Sequence, residues 1–169
     1  MKINYTIVAC PLGQLLVAAT ERGLCSVALG DEDRQLEEGL KAEFSQAAIS
    51  RDETCLQEWV EVLVAHLSGQ QPHLELPLDV QATAFQKRVW EELRRIPLGQ
   101  TISYGQLASL IGQPSATRAV ARACATNPVA LVTPCHRVIR ENGKLGGYRW
   151  GLERKASLLA RERTENLVS

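Results

Sequence analysis

Asn127-Pro128-Val129-Ala130-Leu131-Val132-Thr133-Pro134-Cys135-His136-Arg137-Val138-Ile139 sets three polar, reactive side chains inside an apolar run. Apolar residues on both sides imply burial. Pro134 restricts the backbone just before the Cys-His-Arg core. The thiolate is the nucleophilic form of cysteine, and a free thiol with pKa ~8.5 is mostly protonated at neutral pH. Activation needs a base in reach or a positive field. His136 is adjacent, but neighbours along a strand point to opposite faces. Read as a strand, the segment therefore needs a bend or a bridging water to join them. A histidine acting as base also needs a third group to orient it. Glu141, Glu153 and Glu162 are the candidates.

Immediately upstream, Phe85, Val89, Leu93 and Ile96 form a helical stripe that Pro97-Leu98-Gly99 ends. Ser103-Tyr104-Gly105-Gln106 has capping-box form and opens a short helix with Leu107, Leu110 and Ile111 inward. Gly112-Gln113-Pro114 breaks it, and Ser115 is placed to cap the next helix, which runs to about Ala125. Two short helices joined by a tight turn read as a helix-turn-helix. The second helix has an apolar stripe of Ala116, Ala119, Val120, Ala123 and Cys124. Its opposite face carries Thr117, Arg118, Ala121, Arg122 and Ala125. Small residues allow close approach of a backbone to a surface, and arginines neutralise phosphates or enter a groove. Downstream, Glu141-Asn142-Gly143-Lys144 is a turn. Gly146-Gly147-Tyr148-Arg149-Trp150-Gly151 is a loop suited to walling a pocket for a flat ligand rather than cradling phosphate. A last helix is expected to turn Leu152, Ala156 and Leu159 inward, with Glu162 near its end.

The first half of the chain differs in kind. Tyr5–Ala9, Gln14–Thr20 and Leu24–Leu29 read as a strand meander. Leu36, Leu40 and Phe44 mark one helix, and Leu56, Val60, Leu63, Val64 and Leu67 a second. Residues 69–82 read as an extended linker. Residues 1–82 hold 5 Lys/Arg against 13 Asp/Glu, whereas residues 83–169 hold 14 against 6, so a formal net charge of +0 conceals halves of −8 and +8. The basic half suits a polyanion. With 169 residues, 45% of them hydrophobic and 22% charged, the fold class is α+β. We expect an N-terminal structural domain over 1–78 and a DNA-binding, chemically active domain over 83–165. The chain shows no signal-peptide pattern and no apolar run near the ~18 residues of a membrane span. Five cysteines without a regular framework (Cys10, Cys25, Cys55, Cys124, Cys135) read as reduced thiols in a cytoplasmic protein. A cysteine protease would need His66 or His73 from the acidic half, and the remaining Cys and His residues lack paired zinc spacing.

Pro134-Cys135-His136-Arg137-Val138 resembles the active-site signature of the O6-alkylguanine-DNA alkyltransferases. The resemblance extends over about residues 83–163, through Thr101-Ile102-Ser103-Tyr104, Arg118-Ala119-Val120, Asn127-Pro128, Gly146-Gly147-Tyr148 and Leu158-Leu159-Ala160-Arg161-Glu162. It implies a small N-terminal ribonuclease H-like unit followed by a winged helix-turn-helix unit. It also implies single-turnover transfer of an alkyl group, chiefly methyl, from guanine O6 (or thymine O4) in duplex DNA to Cys135. In that reading His136 and Glu162 form a relay with a water, and Asn127 braces the turn before the cysteine. Tyr104 rotates the phosphate and donates a proton to the departing base. Arg118 replaces the flipped base in the stack, on a helix in the minor groove with Thr117, Ala121 and Arg122. Val138, Gly147, Tyr148, Arg149 and Trp150 line the pocket, and bulky Trp150 narrows it against benzyl-sized groups.

The resemblance further implies a monomer without cofactor. Thr20 stands where a zinc-binding member has a ligand, so no metal is expected. The chain carries no long N-terminal phosphotriester-sensing module, so no transcriptional role is expected. Two rival readings stand beside it. Non-catalytic damage-recognition relatives lack the cysteine, and a winged-helix regulator has no use for a buried Cys-His-Arg segment.

Overall fold

The computed structural model describes residues 1–168, with side chains through residue 164. Two compact units emerge: Met1–Val80 together with Pro128–Val132, and Gln81–Asn127 together with Thr133–Ser169. The short excursion 128–132 groups with the first unit.

In the first unit, β1 (Lys2–Cys10), β2 (Gly13–Ala19) and β3 (Leu24–Gly30) form the expected antiparallel meander. Helix α1 (Asp33–Glu43) then crosses over to β4 (Ala48–Arg51), which pairs parallel to β1 and completes a sheet of order β3-β2-β1-β4. Leu36, Leu40 and Phe44 pack on Ile3, Tyr5, Ile7, Leu16 and Ala18 of the sheet. Each such large side chain, once buried, contributes about 1.5–3 kcal/mol. Helix α2 (Gln57–Leu67) buries Leu63 and Leu67 from the predicted stripe. The sequence did not reveal β4. It is four residues long at the sheet edge with one half-buried apolar side chain, Ile49, so it carries almost no period-2 signal.

The predicted linker is extended, and part of it is anchored. Leu24 N–H donates to Pro77 O and Asp79 N–H to Leu24 O, both at 2.8 Å. A Cβ at Gly23 would lie 2.6 Å from Pro77 O, so only glycine permits this approach. Within the same unit, Val27 N–H donates to Pro128 O and Ala130 N–H to Val27 O, which adds the 128–132 segment to the edge of β3.

The second unit begins with α3 (Ala84–Arg94), opened by a full capping box between Thr83 and Gln86. Strand β5 (Ile102–Ser103) leads into α4 (Tyr104–Leu110), opened by the predicted Ser103–Gln106 capping box. Gly112, at φ +78°, makes the turn to α5 (Thr117–Ala125), completing the helix-turn-helix. Trp90 Nε1 donates to Ala123 O at 2.8 Å, tying α3 to α5. A 3-10 turn over Cys135–Arg137, β6 (Val138–Ile139, parallel to β5) and α6 (Leu152–Val168) complete the unit.

Four local expectations are corrected. Leu110 of α4, expected inward, is 59% exposed, whereas Leu107 and Ile111 are buried. The α5 N-cap is Ala116, with no side-chain cap bond, so Ser115 does not cap the helix. Leu152 and Ala156 face solvent, and α6 turns Lys155, Leu158, Leu159 and Glu162 inward instead. Cys135 and His136 sit in a helical turn rather than a strand, because Arg137 N–H bonds back to Pro134 O. No helix among the described residues is long and apolar enough to cross a membrane.

Candidate active site

The 3-10 turn settles the geometry of the Cys-His-Arg core. With about three residues per turn, successive side chains point roughly 120° apart. Cys135 faces a cavity, while His136 and Arg137 reach the same carboxylate on α6. His136 is fully buried, and its Nε2 lies 2.8 Å from Glu162 Oε2. Arg137 Nε and Nη2 donate to the two Glu162 oxygens at 2.9 and 3.0 Å, and Nη1 donates to Ile96 O at 2.7 Å. Such a forked pair fixes orientation as well as charge.

Burial alone would push the Glu162 carboxyl up. The hydrogen bonds and charges of His136 and Arg137 outweigh it and hold the group at about 2. Glu162 is therefore an anion at neutral pH and accepts from His136 Nε2–H. That leaves Nδ1 carrying the lone pair, buried and without a partner among the described residues. Burial holds the imidazole below its ordinary pKa, with Glu162 opposing, so the ring is a neutral base at pH 7.

Asn127, fully buried, donates from Nδ2 to Thr133 O at 2.8 Å and to Cys135 Sγ at 3.3 Å. The first bond closes the base of the 128–132 excursion; the second addresses the thiol. Its own carbonyl accepts from Arg149 Nη1 at 3.0 Å. Burial drives the Cys135 thiol up to about 11, against the pull of the Asn127 hydrogen bond and the Lys155 charge.

Cys135 opens on a cavity of about 330 Å³, the size of a small-ligand site. Tyr104 of α4 and Thr117, Arg118, Ala121, Cys124 and Ala125 of α5 line it, together with Arg140, Gly146, Gly147 and Tyr148. Burial raises the Tyr104 phenol to about 12, so it is a proton donor at neutral pH.

Of the pocket residues expected from sequence, Gly147 and Tyr148 line the cavity, while Val138, Arg149 and Trp150 are not part of its lining. Trp150 packs edge-on to Tyr148, with ring centroids 5.3 Å apart, and Arg149 lies over the Trp150 ring. Arg122 is exposed on α5 beyond the cavity. Of the carboxylates proposed to orient the imidazole, Glu162 meets His136. Sequence reasoning missed Arg137 as the clamp on Glu162, Cys124 and Arg140 as lining, and Lys155 altogether. Lys155 is legible only in hindsight, seven residues before Glu162 and thus on the same face of α6.

Two family descriptions cover nearly all of the chain. "6-O-methylguanine DNA methyltransferase, ribonuclease-like domain" matches residues 3–80, and "6-O-methylguanine DNA methyltransferase, DNA binding domain" matches residues 84–164. The Escherichia coli "Bifunctional transcriptional activator/DNA repair enzyme Ada" is 48% identical over 162 residues, 96% of this chain but 46% of that protein. The chain thus spans just under half the length of that relative. A "Methylated-DNA--protein-cysteine methyltransferase" of Mycolicibacterium paratuberculosis is 39% identical, with 99% of this chain and 96% of the relative covered. Among solved structures, the Mycobacterium tuberculosis OGT in complex with DNA superposes with a TM-score of 0.80 at 32% identity, over 98% of this chain and 94% of the other. With both halves matched and a relative covered almost end to end, this chain belongs to the 6-O-methylguanine DNA methyltransferase family.

Proposed function

We propose that the protein repairs DNA by moving an alkyl group, chiefly methyl, from guanine O6 to Cys135, one group per molecule. The observation that carries this reading is the Glu162–His136 pair, which leaves imidazole Nδ1 as a buried lone-pair base, next in sequence to a buried thiol that opens on a ligand-sized cavity. In this reading a water joins the thiol to Nδ1, the buried ring atom left without a protein partner among the described residues. The thiol proton passes through it to the imidazole, and the Glu162 anion stabilises the imidazolium that forms. Sγ then attacks the alkyl carbon, the C–O bond breaks, and the electron pair goes to the guanine. Tyr104, protonated at neutral pH, supplies the proton the departing base takes up. The product is a thioether, which no mild step reverses; hence a single turnover.

The alkyl group of a paired base is inaccessible, so the nucleotide flips into the cavity, at a lower cost for a damaged, weakly paired base. Arg118 fills the gap in the stack, from a face of α5 whose small residues suit a minor groove. The partner is duplex DNA met by a single copy of the chain. No cofactor or metal takes part. The reading keeps the protein in the cytoplasm, where the five cysteines stay reduced.

The test is DNA carrying a labelled methyl on guanine O6. Label should pass to wild-type protein, one per molecule, and none to Cys135→Ala; unlabelled wild-type protein sinks the reading. Arg118→Ala should slow repair of duplex DNA far more than reaction with the free base. Equal losses would remove its role in flipping.

A further inference from the structure

Lys155 is a fully buried side chain on α6 that the transfer chemistry above does not use. Its ammonium has three N–H donors. Three backbone carbonyls take them: Leu145 O at 2.5 Å, Val138 O at 2.6 Å and Gly147 O at 3.0 Å. Two of these carbonyls flank Gly146, and Gly146 and Gly147 form part of the cavity wall. The third belongs to β6, whose partner β5 leads directly into Tyr104. Tyr104 Oη lies 3.5 Å from Nζ, and its ring centroid 5.7 Å away. Gly146, at φ +73°, lies so close to that ring that a Cβ would approach its Cε2 to 2.9 Å. The loop therefore rests on Tyr104, and a single cation ties both to the strand after the cysteine.

We propose that Lys155 is a positioning residue whose charged form holds the Leu145–Gly147 wall against Tyr104 and so shapes the pocket for the alkylated base. The part concerning the base rests on the function proposed above; the part concerning the wall does not. A neutral amine has only two donors, so loss of the proton leaves one of the three carbonyls without its bond and loosens the wall. No carboxylate among the described ion pairs compensates this cation, and burial lowers its pKa to about 8, against the opposing pull of Cys135 and Cys124. The other titratable groups that face it do not change charge there. Cys135 on the 3-10 turn and Tyr104 on α4 are held up at about 11 and 12, and Cys124 on α5 higher still. His136 is held below its ordinary value and stays neutral. An event near pH 8 in this wall is therefore assigned to Lys155.

The decisive experiment follows the backbone amides of Leu145–Gly147 by NMR between pH 6.5 and 9.5, on the whole chain without DNA. The proposal expects them to move together with a midpoint near 8, and expects the movement to vanish in Lys155→Met. No movement in the wild-type protein, or the same movement in the variant, overturns it. Should Lys155→Met fail to fold, the wild-type titration still decides. A second arm uses Cys135→Ser, which removes the thiol titration, and compares binding of an O6-methylguanine duplex with an unmodified one. The preference for the methylated duplex should fall about tenfold from pH 7 to 9.5. A preference that is clear at pH 7 and flat to pH 9.5 overturns the pocket-shaping role. Failure of labelled methyl to transfer at pH 7 would instead remove the proposed function, leaving the amide titration to judge the wall.

Discussion

At the scale of residues, Glu162 is the group on which the site turns. It takes one hydrogen bond from the imidazole and two from Arg137. Glu162→Gln keeps the shape but removes the charge that, in the proposed mechanism, stabilises imidazolium. Methyl transfer should fall about 100-fold, at the low end of the range for lost acid–base help, while duplex binding stays within about twofold. Rapid-quench transfer assays and a binding titration check the split. The carboxyl is held at about 2 when folded, against about 4.3 when unfolded. Its folded pKa is depressed, so its contribution to stability is complete above about pH 4.3 and is lost as pH falls toward 2. Denaturant midpoints should drop more steeply over this window in wild-type protein than in Glu162→Gln.

Trp150 belongs to the same scale, and its action is indirect. It backs Tyr148, which lines the cavity, instead of lining the cavity itself. Wild-type protein should react with O6-benzylguanine at least about tenfold more slowly than Trp150→Gly, where Tyr148 gains room to withdraw, a shift worth about 1.4 kcal/mol. Equal rates for the two proteins would show that Tyr148 does not move and that the indole does not limit the pocket.

At the scale of elements, the helix-turn-helix shows how local chemistry and tertiary support divide the work. Helix α4 is seven residues long and starts on a reciprocal capping box, with Gln106 N–H donating to Ser103 Oγ and Ser103 N–H to Gln106 Oε1. Helix α5 has no side-chain cap and depends on burying Val120, Ala123 and Cys124. Ser103→Ala should cost about 1 kcal/mol, while Ser115→Ala should cost less than about 0.3 kcal/mol; urea midpoints distinguish the two. Capping patterns in the sequence are strong where the cap residue precedes the first turn directly, as at Ser103. They mislead at Ser115 because one further residue, Ala116, takes the boundary position.

At the scale of the whole molecule, the charge division is the property with the widest reach. The formal net charge is +0, yet residues 83–169 carry +8. Under the proposed function, attraction to DNA would come from a local field rather than from the net charge, and it should be salt-dependent. If Arg118 and one neighbour neutralise about two phosphates, raising salt from 50 to 200 mM should weaken duplex binding about tenfold. Reaction with free O6-methylguanine should change less than about twofold over the same range. Salt-independent duplex binding would contradict a phosphate-contacting role for α5.

The sequence by itself determined the three-strand meander, the places of all six helices of the described residues, and Cys135 as the candidate nucleophile. Those features rest on local signals: apolar periodicity, turn residues, and an unusual Cys-His-Arg triplet in an apolar run. The last helix was legible in extent but not in orientation. Its inward face carries Lys155 and Glu162 beside Leu158 and Leu159, and charged residues are ordinarily read as solvent-facing. Only the tertiary structure decided that face, because burying those charges is tolerable only when partners distant in the chain satisfy them: Arg137 and His136 for Glu162, and the carbonyls of Val138, Leu145 and Gly147 for Lys155. The same holds for Cys135–Arg137. A strand would have sent cysteine and histidine to opposite faces, and a backbone bond from Arg137 N–H to Pro134 O made it a turn that gives each of the three side chains its own direction.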